Sequence, residues 1–188
     1  MGEAVRATGG LSTFEDVVGL DPDTQSGELV RGVWTPVTKC TWSHGVIVGN
    51  FYLVLKLWAR ATPGWSVSVG DPGTKLARDP DVLRGPDIGV VRQDRVPTGR
   101  GVHGWLEGAP DVVVEVVGDA QSASEMIEKA IDFMAAGAKL VWIVDAAARR
   151  VLAVTPPDHV RVFGAAADLD GGEVLPGFRC RVEELFAG

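Results

Sequence analysis

The stretch from Pro110 to Asp145 constrains this chain more than any other. It opens as Pro110-Asp111-Val112-Val113-Val114-Glu115-Val116-Val117 and crosses a short polar link. A segment of helical spacing then runs through Lys129 and Phe133, and the stretch closes in Leu140-Val141-Trp142-Ile143-Val144-Asp145. Strand, helix and strand in that order predict a βαβ unit, because parallel neighbours need a crossover connection and a helix is the usual one. Glu115 is the anomaly. It stands among five valines, and an unpaired buried charge costs several kcal/mol or more. A carboxylate in that position either has a partner or is held there for chemistry.

The rest of the chain predicts one α/β domain over residues 11–188, preceded by a loose Gly-rich arm at 1–10. Leu11 to Leu20 reads as a short helix, with Ser12 and Glu15 at capping-box spacing. Gly27–Arg31 and Val33–Val37 read as a strand pair, with Pro36 placing the second at an edge. Ser43 to Ala61 carries the best helical pattern of the first half, with Val46, Phe51, Val54, Leu55 and Trp58 in a broad apolar stripe. Strands follow at Trp65–Val69, Lys75–Ala77 and Ile88–Val91, with residues 79–86 read as a turn. Arg92 to Glu107 is read as a long loop whose Arg92, Arg95 and Arg100 are candidate phosphate contacts. Val151–Val154 and Val160–Phe163 form a further strand pair, and Leu175–Phe178 reads as a strand edge before a short terminal helix.

Composition matters mainly for what it excludes. No apolar run approaches the ~20 residues that span a bilayer. The first residues lack the basic start and apolar core of a secretory signal, and Cys40 and Cys180 form no CxxC pair. A cytoplasmic protein with reduced thiols is the expectation. The net charge of −7 gives no overall basic footprint for nucleic acid, though it leaves room for a local one. An acidic chain also suits a carboxylate metal site.

Asp87 and Glu115 form the constellation with most chemistry in it. Each lies in or at the start of a short β-branched run. If those strands are neighbours, the two carboxylates converge, and convergent carboxylates call for a shared proton or a hard cation such as Mg²⁺. Lys129, beside the apolar face of the helix, either snorkels to water or reaches the acids and stabilises developing negative charge. Other chemistries fit less well. His44, His103 and His159 have no metal-ligand spacing among themselves, HExxH is absent, and Gly99-Arg100-Gly101 lacks the setting of a dinucleotide loop.

The order of these features resembles the Uma family of putative restriction endonucleases, within the PD-(D/E)xK nuclease superfamily. The pieces that carry the resemblance begin with Glu28-Leu29-Val30-Arg31-Gly32, Ser43-His44-Gly45 and Pro86-Asp87-Ile88. They continue through Ala109–Val116, Lys129 with Phe133, Ala136-Gly137-Ala138, Val141–Asp145 and Leu175-Pro176-Gly177-Phe178. The resemblance implies a restriction-endonuclease-like core, a mixed central sheet flanked by helices, with Mg²⁺ or Mn²⁺ as cofactor and DNA as substrate. It implies that Asp87 and Glu115 are the paired acids and that Glu28 approaches the metal with them. Lys129 stands in for the lysine missing at Val117, and Glu125 is a weaker acidic candidate. Three positions depart from the family pattern: Gly27 where an aromatic is common, Val117-Gly118-Asp119 where Leu-Ser-Pro is common, and Phe133 where tyrosine is common.

The reading is a metal-dependent endonuclease of DNA with Asp87, Glu115, Lys129 and Glu28 as its site. The alternative is a catalytically inactive nuclease-fold domain that binds or scaffolds. A third, an enzyme of small phosphorylated molecules, predicts turnover of phosphodiester dyes without cleavage of DNA. Because cutting both strands of a duplex takes two active sites, a homodimer or higher homo-oligomer is the expectation from chemistry.

Overall fold

The computed structural model describes residues 11–18, 20, 26–118 and 121–188; the arm expected at 1–10 lies outside them. Helix α1 (Phe14–Val17) leads to strands β1 (Gly27–Val30) and β2 (Val33–Pro36), and then to the long helix α2 (Trp42–Ala61). Strands β3 (Trp65–Val69), β4 (Thr74–Ala77), β5 (Val82–Arg84), β6 (Ile88–Arg92), β7 (Leu106–Glu107) and β8 (Val112–Val116) follow. Helix α3 (Ala123–Ala135) crosses to β9 (Leu140–Asp145), and β10 (Arg150–Thr155), β11 (His159–Gly164), β12 (Asp168–Asp170) and β13 (Arg179–Arg181) close the chain with a 3₁₀ turn at Val182–Phe186.

Two sheets carry the structure. The larger has the order β11-β10-β9-β8-β6-β3, and the smaller β2-β1-β5-β4-β7. In the larger sheet β8 and β9 are parallel and joined by α3, while the other neighbours are antiparallel. This is the mixed central sheet with flanking helices that the family resemblance implies. Both faces of β8 and β9 are covered. Val112, Val114, Val116, Trp142 and Val144 pack with Phe51 and Leu55 of α2, and Val113, Val141 and Ile143 pack with Met126, Ala130 and Phe133 of α3. Strands buried on both sides read as continuous apolar runs, which is why this unit stands out in the sequence. A third cluster, Phe14, Val17, Leu29 and Leu83, fixes α1 to the smaller sheet.

Several expectations are corrected. The cap of α1 is Thr13 with Asp16, in a reciprocal capping box, and Glu15 turns outward to Arg78. The buried face of α2 is Ile47, Phe51, Leu55 and Ala59; Val46, Val54 and Trp58 are half-buried beside it. Residues 79–86 are not simply a turn but hold β5, all three of whose residues are buried; its brevity between Pro80 and Pro86 conceals it. Leu175 to Phe178 forms a turn whose Leu175 and Phe178 plug the core, and the strand lies one step later in β13, paired with β12.

The long segment after β6 is more ordered than a loop. It holds 3₁₀ turns at Gln93–Arg95 and Gly101–Gly104, then β7. Arg95 ties it down, bonding the Ala109 carbonyl at 2.7 Å and the buried Asp111 carboxylate at 3.2 Å. Lys139 reaches the same carboxylate at 2.7 Å, so Asp111 is a charge-paired strand start. Arg95 is therefore a structural clamp, and Arg92 lies over the Trp65 ring with its guanidinium 4.7 Å from the centroid. Among the described residues no helix is long and apolar enough to cross a membrane, and Cys40 and Cys180 are free thiols.

Trp142 is fully buried and stacks on Phe51 with ring centroids 5.2 Å apart. Its indole N–H has no hydrogen-bond partner among the described residues. Trp142→Ala is expected to cost ~3–5 kcal/mol of stability. Trp142→Phe keeps most of the packing and removes the unpartnered N–H, so it should cost clearly less; chemical denaturation of the two variants checks the order.

Candidate active site at the junction of the two sheets

The chain passes from the smaller sheet to the larger through three residues, Gly85-Pro86-Asp87, between β5 and β6. The register of β6 on β8 pairs Ile88 with Val114. Continued by one residue, it sets Asp87 opposite Glu115, and opposed residues of an antiparallel pair share a face. The Val116 N–H donates to Asp87 Oδ2 at 2.7 Å. Alternation along β8 sends Val112, Val114 and Val116 toward α2, and Val113 and Glu115 toward α3. Lys129 and Asp132, on α3, complete the site from that side.

The Lys129 ammonium spends all three of its N–H groups here. It lies 3.0 Å from Glu115 Oε2 and 3.1 Å from Glu28 Oε1, and donates to the Gly85 carbonyl at 3.1 Å. Glu28, on β1, also accepts from the Gly85 N–H at 3.1 Å and from Arg84 at 2.8 Å. Arg84 in turn holds Asp132, 2.6 Å away and one turn beyond Lys129 on α3. Asp132, Arg84, Glu28 and Lys129 thus form a closed ring of alternating charge that ties α3 to the smaller sheet. Gly85 must be glycine for this packing, since a Cβ there would stand 2.9 Å from the Asp71 Cβ and 3.0 Å from its carbonyl oxygen.

Burial dominates the electrostatics. It pushes the Glu115 carboxyl up to about 8, with Lys129 opposing and Asp87 adding to the rise. Burial also pushes Glu28 up, but Lys129 and Arg84 outweigh it and leave its carboxyl below the ordinary value. The same balance holds Lys129 above the ordinary lysine range, because Glu115 and Glu28 overcome its desolvation. Asp71, in the left-handed region at φ 53°, is raised by desolvation and by the Asp87 charge.

The structure brings Glu28, Glu115 and Lys129 into direct contact and places Asp87 beside them. Both Glu28 oxygens face cations or N–H groups. Glu125 lies outside the site, closing the capping box of α3 with Ser122. Sequence reasoning missed Arg84, Asp132 and Asp71, and left out His44. His44 Nε2 sits 3.4 Å from Asp87 Oδ2 and 3.2 Å from the Val116 carbonyl, and its hydrogen bond to Asp87 raises its pKa. The signal for His44 was its place in Ser43-His44-Gly45, which comparison of the histidines with one another could not exploit.

Glu115 Oε1 is buried and has no hydrogen-bond partner among the described residues. An orphaned carboxylate oxygen beside a second acid is what a hard cation requires. Among the described residues no group of three or more His, Cys, Asp or Glu side chains could hold a metal ion. A cation here would rest on Asp87 and Glu115 and take its other ligands from water and phosphate oxygens, the arrangement Mg²⁺ favours.

A family model described as "Putative restriction endonuclease" (Uma2) matches residues 11–183. No curated protein matches the chain. Among solved structures, a putative nuclease belonging to DUF820 from Anabaena variabilis superposes with a TM-score of 0.78 at 17% sequence identity, covering 93% of this chain and 97% of that one. At that identity the likeness is one of fold.

The Glu115 pKa sets a pH test of the metal-free protein. The folded state keeps the Glu115 proton up to about 8, whereas the unfolded chain releases it near 4.5. Between those values the folded state binds more protons, so this group makes stability fall as pH rises from about 4.5 to about 8. Glu115→Gln cannot ionise. In EDTA, denaturation at pH 5, 6.5 and 8.5 should show a smaller loss of stability with pH in this variant than in the parent.

Proposed function

The chain belongs to the Uma2 family of putative restriction endonucleases, and from that membership and the geometry of its acids we propose that it is a divalent-cation-dependent endonuclease of DNA. The observation that carries the reading is the buried, unpartnered Glu115 Oε1 beside Asp87. Asp87 and Glu115 would hold Mg²⁺ or Mn²⁺. When bound, such a cation activates water and neutralises charge on a scissile phosphate.

The protein's own groups divide the remaining work. Val116 N–H and His44 fix the Asp87 carboxylate. Lys129 stands beside Glu115, where its ammonium stabilises negative charge developing on phosphate oxygens. Glu28 and the Gly85 carbonyl hold that ammonium in place, and Arg84 keeps Glu28 ionised and oriented. Such a constellation acts by placement and charge, with no covalent intermediate on the protein.

Supercoiled plasmid should be nicked in Mg²⁺ or Mn²⁺ and left intact in EDTA. Asp87→Asn, Glu115→Gln and Lys129→Met should each lower the rate by ~100-fold or more. Cleavage undiminished in Asp87→Asn and Glu115→Gln would remove these acids from the mechanism. Mn²⁺ binding that depends on Asp87, with no cleavage under any condition, would favour an inactive nuclease-fold binding domain.

A further inference from the structure

Between Glu28 and Asp71 the sequence contains no Asp or Glu, although the chain has 25 acidic residues and a net charge of −7. Its charged side chains there are Arg31, Lys39, Lys56 and Arg60. Arg31 is spent on Asp132. The other three belong to the segment leading into α2 and to α2 itself. Trp42, the first residue of α2, is 91% exposed. Residues 37–43 are all exposed, and His44, next along the helix, contacts Asp87. A stretch with cations, no acids and an exposed indole therefore ends beside the candidate site.

The outer face of α2 continues it. Trp42, Gly49, Leu53 and Arg60 recur at helical spacing on the side opposite the buried Ile47, Phe51, Leu55 and Ala59. Among the described residues nothing beyond the helix's own backbone and the adjoining residues lies within 4 Å of where a Cβ of Gly45 or Gly49 would stand, so no described neighbouring element requires either to be glycine. Their bareness leaves the helix backbone open to close approach from outside.

We propose that the 37–43 segment and the outer face of α2 are the nucleic-acid docking surface of this protein, with Trp42 stacking on an unstacked base and Lys39, Lys56 and Arg60 contacting phosphates. The inference rests on the nuclease reading for its geometry, since the 37–43 segment ends beside His44, which contacts Asp87. Charge decides the occupant. A polyanion suits a stretch of sequence that carries cations and no carboxylate on an otherwise acidic protein, whereas a second copy of the same stretch would set cations against cations. The indole narrows it further. A fully exposed aromatic face is a platform for a base outside the stack, and an intact duplex presents only base edges in its grooves. The substrate class this favours is DNA with a single-stranded overhang, flap or gap beside the scissile phosphate.

The test is fluorescence anisotropy of labelled DNA with the full chain in EDTA, where binding proceeds without cleavage. A duplex with a single-stranded overhang should bind more tightly than the blunt duplex. Trp42→Ala should weaken overhang binding ~10-fold or more, and Trp42→Phe, which keeps a π face, should weaken it less. Replacing Lys39 and Lys56 together by Ala should reduce the slope of log affinity against log salt by about one unit per lysine. Unchanged thermal unfolding of Trp42→Ala shows that the loss is not one of folding. Equal binding by Trp42→Ala and the parent, or no DNA binding by the parent, overturns the proposal. A drop in assembly mass on Trp42→Ala or Leu53→Ala, measured by sedimentation, overturns it in favour of a subunit interface. Binding lost in Trp42→Ala while the parent never cleaves would leave the docking surface standing and remove the nuclease reading. Cleavage and binding both untouched in Trp42→Ala would do the reverse.

Discussion

Glu115 is the constraint around which this structure closes. A carboxyl in the middle of a strand covered on both faces is stable only if the fold delivers a cation to it or leaves it protonated. The fold supplies Lys129, but only for one of the two oxygens. The ammonium in turn needs more than one acid to be held in so dry a place, and Glu28 and the Gly85 carbonyl provide the rest of its contacts. Each group that satisfies one charge creates the need for the next, through Arg84 to Asp132, until the ring returns to α3. The position of the smaller sheet follows from this chain of needs as much as from the apolar cluster of Phe14, Leu29 and Leu83.

Much of this was legible in the sequence, and for identifiable reasons. The βαβ unit showed itself because its two strands are buried on both faces, and Glu115 showed itself against that background. Asp87 was legible from the β-branched run that follows it, and Lys129 from its place beside the apolar face of α3. What stayed hidden was non-local. β5 has three residues and pairs with strands distant in sequence, so Arg84 could not be seen to face Glu28. Asp132 looked like any solvated helix acid. Glu28 was identified as a member of the site, yet sequence does not show which charges an acid will meet; it meets Arg84 and Lys129. Arg95 was misread for the same reason, since its partner Asp111 and two carbonyls lie across the β6–β8 turn.

The division of labour between the sheets also explains why the core and the site do not compete. The larger sheet carries the apolar load, with Phe51, Trp142 and Phe178 in mutual contact through Trp142. Buried charge is met by partners wherever it occurs: Arg84 and Glu115 at the junction with the smaller sheet, Asp111 with Arg95 and Lys139, and Asp81 with Arg78 and the Phe14 N–H.

The Gly85-Pro86-Asp87 link has a mechanical meaning. Three residues span at most ~10 Å even when fully extended, and Pro86 removes some of their freedom. The link is a short leash between the two sheets at the very point where the acids meet. A leash that short keeps Glu28 and Arg84 of the smaller sheet within reach of Lys129 and Asp132 on α3.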